Sequence, residues 1–184
     1  MLKKIILTLL ILVLVTSCVL ILISKNSDVN EPEIPENPNP NEPEISLTDY
    51  DVTLYFTDEN ANYLVKSKST ISVKNEDEKY QAALEKLIEG PQSADFYPAI
   101  SPHTKVNSVT VEKGLCTVDF TDSLILNNAG GTLRETMCLY AVVNTLCEFD
   151  EIKKVTFKVN GEKIETFCQL DMTEPYVKNN KLVK

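Results

Sequence analysis

One segment near the middle of the chain, Thr132–Phe149, constrains the fold more than any other. Its sequence, TLRETMCLYAVVNTLCEF, predicts a helix, and Thr132 and Glu135 have the spacing of a reciprocal capping box. An amphipathic surface helix has an apolar stripe a little over ~100° wide, and here the apolar surface is roughly twice as wide. The remaining polar strip consists of Arg134, Ala141, Thr145 and Glu148. We therefore expect a core helix that is covered on more than one side; the alternative is that part of its apolar surface binds a partner.

The length and charge of the chain limit what it can be. With 184 residues it holds one domain of ordinary size plus appendages. Its 27 acidic and 18 basic residues give a net charge of −9. An acidic chain gains nothing from neutralising phosphates, so we expect no nucleic-acid partner. The chain has no tryptophan and a single histidine, His103, which disfavours a carbohydrate-binding platform and a histidine-rich metal site.

Residues 1–23 predict an export signal or a membrane anchor. Lys3 and Lys4 precede the unbroken apolar run Ile5–Val15, and small residues then lead to Cys18. The four residues that end at Cys18, VTSC, resemble the lipobox of bacterial lipoproteins, in which the cysteine is lipidated. The apolar run resumes after Cys18, so residues 5–23 also approach the ~20 residues that span a bilayer as an uncleaved anchor. In both cases the lysines stay inside, and the rest of the chain lies outside the membrane.

The remaining chain divides into a linker, a domain and a tail. Residues 24–47 are rich in proline, asparagine and glutamate and have almost nothing to bury, so we expect a disordered linker. Residues 48–170 contain the periodic apolar patterns of a folded domain. Residues 171–184 form a polar tail for which the sequence predicts no structure.

The folded part alternates pairs of strands with helices. Asn75 and Glu78 have capping-box spacing at the start of the first helix, and Gly90–Pro91 ends it. Asn160–Gly161 is a strong hairpin signal. Alternation predicts that the first strand is half-buried, with Val52, Leu54 and Phe56 on its inner side. The predicted elements are strands near 52–57 and 63–74, a helix at 76–89, strands near 105–112 and 115–120, the helix at 132–149, and strands near 155–159 and 162–166.

This order, ββαββαββ, indicates an α+β fold. We expect a two-layer sandwich in which both helices lie on one face of a mainly antiparallel sheet. Such an arrangement presses the second helix between the sheet and the first helix, which agrees with its wide apolar surface.

Four stretches of the domain resemble the GerM domain. They are VTLYFTD (52–58) with YLV (63–65), ALEKLIEGP (83–91), TKVNSVTVEKGLCTVDF (104–120), and Leu133–Phe149 followed by VTFKVNG (155–161). Together they cover about residues 52–167. The resemblance implies a non-enzymatic extracytoplasmic domain of the kind found in lipoproteins of endospore-forming bacteria, linked to sporulation and germination. It also implies a fold similar to the ring-building modules of secretion systems, which associate side by side. The name-giving members carry two such domains, and this chain has one.

Four cysteines lie within the domain: Cys116, Cys138, Cys147 and Cys168. A bond between Cys138 and Cys147 is excluded in an intact helix, because they are about 13 Å apart along its axis at ~1.5 Å per residue. Cys116 can pair with either of them, and Cys168 can pair only if the tail folds back. Three of the four occupy apolar positions, so we expect mostly free, buried thiols. No cysteine or histidine pair has the spacing of zinc ligands, and no glycine-rich loop has the spacing of a phosphate site, so we expect no cofactor.

No catalytic constellation is evident in the sequence. His103 lies in a proline-bounded loop, and Asp95, Asp119 and Asp122 are predicted to be solvated acids. We therefore expect a membrane-tethered interaction or assembly module that binds envelope proteins or itself through a sheet edge, the first helix or the loop at 91–104. The alternatives are an envelope hydrolase that uses His103 with acids or a cysteine, and a small-ligand-binding module with an apolar pocket under the second helix.

Overall fold

The computed structural model describes residues 46–127 and 130–184. The predicted signal or anchor at 1–23, its lipidation candidate Cys18 and nearly all of the predicted linker lie outside the described residues. The α+β class is confirmed. The elements are β1 (Thr48–Thr57), β2 (Leu64–Val73), α1 (Lys79–Glu89), β3 (Val106–Glu112), β4 (Leu115–Phe120), α2 (Ser123–Leu126), α3 (Thr132–Leu146), β5 (Lys154–Val159), β6 (Glu162–Lys163), β7 (Thr166–Phe167) and β8 (Leu170–Asp171).

The strands form three hydrogen-bonded sheets rather than one continuous sheet. β1 and β2 form a long antiparallel hairpin, β3-β4-β5-β6 form a second sheet, and β7-β8 form a small hairpin. Within the second sheet β4 and β5 are parallel, since α3 carries the chain back before β5 begins. The parallel pair is the one departure from antiparallel pairing among these strands.

Helix α3 is the central core helix that the sequence predicts. Its residues from Met137 to Leu146 are buried except for the half-buried Tyr140. The strip predicted to be polar is buried as well at Ala141 and Thr145, because β1 lies against it. The hydroxyl of Thr145 accepts a hydrogen bond from the backbone N–H of Tyr55 at 3.2 Å. This bond satisfies a donor on the β1 edge that β2 leaves unpaired.

The predicted capping box at the start of α3 does not form. The N-cap residue is Gly131, and no side chain among the described residues caps the helix. The hydroxyl of Thr132 instead donates to the side chain of Gln169 at 3.2 Å. Glu135 is buried, and one of its carboxylate oxygens has no hydrogen-bond partner. The hydroxyl of Thr132 is thus engaged by the hairpin β7-β8, which the sequence did not predict.

The first helix also begins differently from the prediction. Residues Glu76–Glu78 form a 3₁₀ turn, and α1 follows at Lys79. The side-chain amide and the backbone N–H of Asn75 both donate to the Glu78 carboxylate, whose pKa they lower. Only the glutamate half of the predicted capping box is thus present. Lys79 lies beneath this turn and forms ion pairs with Glu76 at 2.9 Å and Glu151 at 2.7 Å.

Strand β1 is more deeply buried than predicted. Residues Val52 to Thr57 are all buried, although their alternation predicted one solvated face. Both α1 and α3 pack against β1 and contribute to its burial. The phenol of Tyr55 donates to the carboxylate of Glu148, which satisfies the polar end of a buried ring.

The C-terminal residues form a strap that the sequence did not predict. Tyr176 exchanges two backbone hydrogen bonds with Val155, at 2.7 and 2.8 Å. The last residue, Lys184, donates its backbone N–H to the carbonyl of Leu64 at 2.9 Å. Lys178 forms an ion pair with Glu148 at 2.8 Å. Residues 171–184, the C-terminal strap, therefore pack against β5, α3 and the start of β2.

Candidate interaction site

A groove opens beside the first turns of α3. Its walls are the loop at 97–104, the turn that follows β1, the helix α2 and the start of α3. Its volume is about 360 Å³, which lies at the lower end of the ~300–1,000 Å³ typical of ligand sites. We call this feature the α3 groove. It adjoins the 91–104 loop, one of the surfaces proposed from the sequence.

The floor of the α3 groove is apolar. Ile100 comes from the loop, Leu124 from α2, and Met137 and Cys138 from α3. All four are buried in the core and hold the walls together. The ligand-binding alternative required an apolar pocket under the second helix, and the groove has an apolar floor beside the N-terminal part of that helix.

The loop wall is fixed to the edge of β1. Thr57 and Tyr97 exchange backbone hydrogen bonds at 2.9 Å each, and the Thr57 hydroxyl donates to the same Tyr97 carbonyl at 3.1 Å. Further along, the N–H of Thr104 donates to the carbonyl of Ser101 at 3.0 Å. The loop is therefore fixed to β1 at Tyr97 and ends in a hydrogen-bonded turn at residues 101–104.

The two acidic residues of the groove, Asp58 and Glu59, differ in their hydrogen bonding and exposure. The carboxylate of Asp58 accepts hydrogen bonds from the backbone N–H groups of Asn62, at 2.8 Å, and Tyr63, at 3.3 Å. It thereby holds the turn between β1 and β2, in which Ala61 has a φ of +53°. Glu59 lies exposed at the rim. The Asp58 charge is thus largely committed to backbone donors.

Arg134 is the distinctive polar group of the α3 groove. It is the only arginine in the chain and projects from the first turn of α3 into the groove lining. Within residues 46–127 and 130–184 its guanidinium forms no hydrogen bond or ion pair. An arginine presents five donors in a planar fork that matches a carboxylate. Arg134 is therefore available to a carboxylate from outside the described residues.

The surroundings of the groove expose apolar side chains. Leu126, at the end of α2, is 74% exposed, and its neighbour Ile125 is exposed as well. Leu133 precedes Arg134 on α3 and is exposed, as is Tyr97 on the opposite wall. Exposed leucines scattered singly need no explanation, but several around one groove are typical of an interaction site.

The residues considered for catalysis are not brought together. His103 is exposed and does not line the groove, and the described part of the chain offers its imidazole no hydrogen bond or ion pair. Its backbone N–H donates to Ser101. Asp119 accepts from the N–H of Gly161 at 2.9 Å and so holds the β5-β6 turn. Asp95 and Asp122 are exposed.

The four thiols of the domain are separate and weakly acidic. Burial raises the pKa of Cys116 and of Cys138 to about 12. Burial also raises the pKa of the half-buried Cys147 and, together with the Glu135 carboxylate, that of the exposed Cys168. A thiolate is the nucleophilic form of cysteine, so none of these thiols is activated at neutral pH. Among the described residues no cluster of histidine, cysteine and acid has the geometry of a metal site.

The sequence did not reveal the α3 groove. Its walls come from four segments between residues 57 and 138, and no local pattern indicates that they meet. The available signal was the single arginine, which lies three residues after Gly131 in the first turn of a helix that is otherwise predicted to be in the core.

The fold and the groove define a small α+β module with an open surface site. Comparison with known proteins agrees: residues 53–165 match the Germane family, described as sporulation and spore germination. The match covers more than half of the chain, and the chain belongs to this family. No curated protein matches it.

Solved structures with the same fold include three relatives, each 22% identical to this chain. The tandem GerMN domains of the sporulation protein GerM from Bacillus subtilis align with a TM-score of 0.57, over 81% of this chain and 51% of that one. The first GerMN domain of the same protein aligns with a TM-score of 0.54, over 72% and 98%. A Clostridium perfringens structure described as a "Putative Lipoprotein" aligns with a TM-score of 0.51, over 74% and 93%.

Proposed function

We propose that this chain is a non-enzymatic module at the outer face of the cell membrane, and that it binds an acidic segment of another envelope protein in the α3 groove. The observation that carries the proposal is Arg134, an unpaired guanidinium beside an apolar floor. A carboxylate of the partner would pair with the guanidinium through two hydrogen bonds. Apolar side chains next to that carboxylate would contact Leu126, Tyr97 and the groove floor.

The N-terminal sequence and the placement of the titratable groups support this proposal. The N-terminal sequence predicts lipidation at Cys18 or an uncleaved anchor, and either one tethers the domain to the membrane. Among the described residues no helix is long and apolar enough to cross a bilayer. The titratable groups considered for hydrolysis lie apart from one another, and the thiols are protonated at neutral pH.

The proposal is tested by photo-crosslinking from the full chain in its native membrane. A photoreactive residue at Leu126 should give a discrete adduct with another envelope protein. The matched control is Lys74, which is exposed at the opposite end of the β1-β2 hairpin. Equal labelling from both positions, or no adduct from Leu126, would overturn the proposal. An adduct between two copies of the chain would replace the envelope partner with self-association.

A role in sporulation or germination is the second part of the proposal, and the family match supports it. Deleting the gene should lower the yield of heat-resistant spores or slow their germination. Restoring the full chain should reverse the defect, and restoring the chain with Arg134→Ala should not. Normal sporulation and germination in the deletion strain would place the protein in another envelope process.

The groove also favours a second candidate, a module that binds a small anionic ligand. Its volume of about 360 Å³ admits a small molecule. This candidate predicts that small carboxylic acids from the envelope fraction raise the unfolding temperature of the full chain but not that of Arg134→Ala. An unchanged unfolding temperature with every acid would exclude it.

A further inference from the structure

Strand β3 lies at the edge of the four-stranded sheet, and β4 is its one neighbour among the described strands. The two strands are joined by the turn Lys113–Gly114, in which both residues have a positive φ, +49° and +84°. This is the type I′ turn whose twist matches that of a hairpin. The residues that flank it, Glu112 and Leu115, are paired and exchange both backbone hydrogen bonds across such a turn.

The outward backbone groups of β3 belong to Val109 and Val111. In an antiparallel pair of strands, hydrogen-bonded and non-hydrogen-bonded residue pairs alternate. Since Glu112 bonds to β4, so do Thr110 and Ser108, whereas the N–H and C=O groups of Val109 and Val111 point away from β4. No described residue forms a backbone hydrogen bond with these groups across the free edge. The edge therefore offers donors and acceptors to an incoming strand.

The hydrogen bonds on the far side of β4 agree with this assignment. The carbonyls of Gly114 and Phe120 accept from the N–H groups of Lys154, at 3.1 Å, and Asn160, at 2.8 Å. The even-numbered residues of β4 thus bond toward β5. Its odd-numbered residues are left to bond β3, and their partners there are the even-numbered residues of β3.

The free edge of β3 lacks the usual protection against strand pairing, which is supplied by lysine, proline or a β-bulge. The other long edge strand, β2, carries the exposed Lys66 and Lys68. Strand β3 contains neither lysine nor proline. Its register shift lies between Val106 and Ser108, at one end of the strand. Residues 108–112 therefore form a regular segment that can accept a partner.

We infer that two copies of the chain pair antiparallel through β3, with Val109 of each copy opposite Val111 of the other, and so join their sheets into one. In this register the outward N–H and C=O groups of both valines bond to the second copy. None of the residues that line the α3 groove belongs to β3, so the inference does not rest on the proposed function. A membrane tether of the kind predicted at residues 1–23 raises the effective concentration of the copies.

The side chains of the two copies match in this register. On the solvent face, Thr110 lies opposite its own counterpart at the two-fold axis, and the Ser108 hydroxyl lies opposite the Glu112 carboxylate of the second copy. On the other face, Val109 lies opposite Val111, and both are half-buried against the core. Cross-strand hydroxyl pairs and β-branched pairs of this kind stabilise a sheet.

Charge selects this register over its neighbours. If Val109 lay opposite itself, the same backbone groups would bond, but Lys113 would lie opposite Lys105 of the second copy. Like charges directly opposite each other destabilise a strand pair. A shift in the other direction would place the turn residue Lys113 opposite Val109 and shorten the pairing. With Val109 opposite Val111, Lys113 instead lies opposite the neutral Asn107.

The test is disulfide crosslinking of the full chain in its native membrane. Cys147→Ser and Cys168→Ser first remove the two thiols that are not fully buried. Thr110→Cys then places a cysteine opposite itself in a non-hydrogen-bonded pair, where the Cα atoms are about 4.5 Å apart and a disulfide fits. Oxidised glutathione, which is reduced to two thiols as the bond forms, should yield a linked dimer on a non-reducing gel. The parent with Thr110 intact reports any link through Cys18.

The matched controls are Ser108→Cys and Glu112→Cys, at two exposed positions of the same strand. Each of these positions faces the other one in the dimer, so each variant alone should give several-fold less dimer than Thr110→Cys. Expressed together, the two variants should link to each other. Equal yields from the three single variants would indicate random encounters, and that result, or no dimer from Thr110→Cys, would overturn the inference.

A second measurement needs no added cysteine. Thr110→Lys changes an exposed side chain and should leave the unfolding midpoint unchanged, but it brings two ammonium groups together at the two-fold axis. The dimer fraction of the full chain in detergent, measured by sedimentation, should therefore fall several-fold. An unchanged dimer fraction, or a wild-type chain that sediments only as a monomer, would count against pairing through β3.

Discussion

The side-chain amide of Asn144 pairs with the backbone of Asn179 in both directions. Its nitrogen donates to the Asn179 carbonyl at 3.2 Å, and its oxygen accepts from the Asn179 N–H at 2.9 Å. Asn144 is completely buried in α3, at 0% exposure. The amide thus makes the same two hydrogen bonds that a paired residue of a neighbouring strand would make. These bonds hold the C-terminal strap against the core helix.

Replacing Asn144 with alanine should destabilise the domain by about 2–3 kcal/mol, because two hydrogen bonds are lost and two backbone groups are left unpaired. Urea unfolding of the full chain measures the change. Asn180→Ala alters an exposed asparagine of the same strap and should stay within about 0.5 kcal/mol of the wild type. Equal effects of the two substitutions would mean that the amide pairing is not what holds the strap.

The hydroxyl of Thr145 should contribute more to the free energy of unfolding than its methyl group does. Thr145→Val keeps the shape of the side chain but leaves the N–H of Tyr55 without its acceptor, at a cost of about 1–3 kcal/mol. Thr145→Ser keeps the acceptor and should lose less. Denaturation curves of both variants decide the matter, and the prediction fails if the valine variant is the more stable one.

The ion pair between Lys79 and Glu151 predicts a pH dependence. The hydrogen bond from Lys79 comes first among the causes that lower the pKa of Glu151 to about 2. A carboxyl group whose pKa is lowered by folding stabilises the protein above its ordinary pKa, near 4.3, and loses that contribution as the pH falls through the folded value. The difference in stability between wild type and Glu151→Gln should therefore shrink from about pH 5 to about pH 2.

Unfolding midpoints at several pH values measure this difference. The control is Glu89→Gln, which breaks the exposed pair with Lys86 at 2.7 Å; exposed pairs contribute little, so this variant should follow the wild type closely. A gap between wild type and Glu151→Gln that is constant with pH would show that the Lys79 pair is not linked to protonation.

Substitution of Arg134 should weaken binding of the partner without changing the stability of the domain. The side chain is exposed and forms no ion pair or hydrogen bond in the described chain, so Arg134→Ala should leave the unfolding midpoint within about 0.5 kcal/mol. The same substitution should reduce photo-crosslinking from Leu126 by about tenfold, which corresponds to ~1.4 kcal/mol of binding. Arg134→Lys keeps the charge without the planar fork and should fall between the two.

Crosslinking yield and urea unfolding, measured on the same preparations, test this separation. If the yield is unchanged in Arg134→Ala, the partner does not use the guanidinium. If the midpoint falls together with the yield, the substitution acts through the fold.

The sequence correctly predicted the helices and strands whose conformation is determined by their own residues. The apolar period placed α3 in the core, and Asn160–Gly161 turned β5 back into β6 as expected, with Asn160 at a φ of +51°. The strands β3 and β4 also begin and end close to the predicted residues. In each case the side chains of the element itself determine the conformation.

Features that depend on distant residues were not predicted. Residues on both faces of β1 are buried, and α1 and α3, which contact it, are distant in sequence. The alternation within a strand does not indicate which elements will cover it. The capping box predicted at Thr132 is absent, and the Thr132 hydroxyl instead bonds to Gln169, which is 37 residues away. The α3 groove and the strap belong to the same class, since segments far apart in sequence create them.

The C-terminal strap makes the last residues of the chain part of its core contacts. Lys184 bonds to Leu64, and Asn179 bonds to the interior of α3. The strap therefore closes two long loops of the chain at once, because it joins a core helix 35 residues upstream and the first residue of a strand in the opening hairpin.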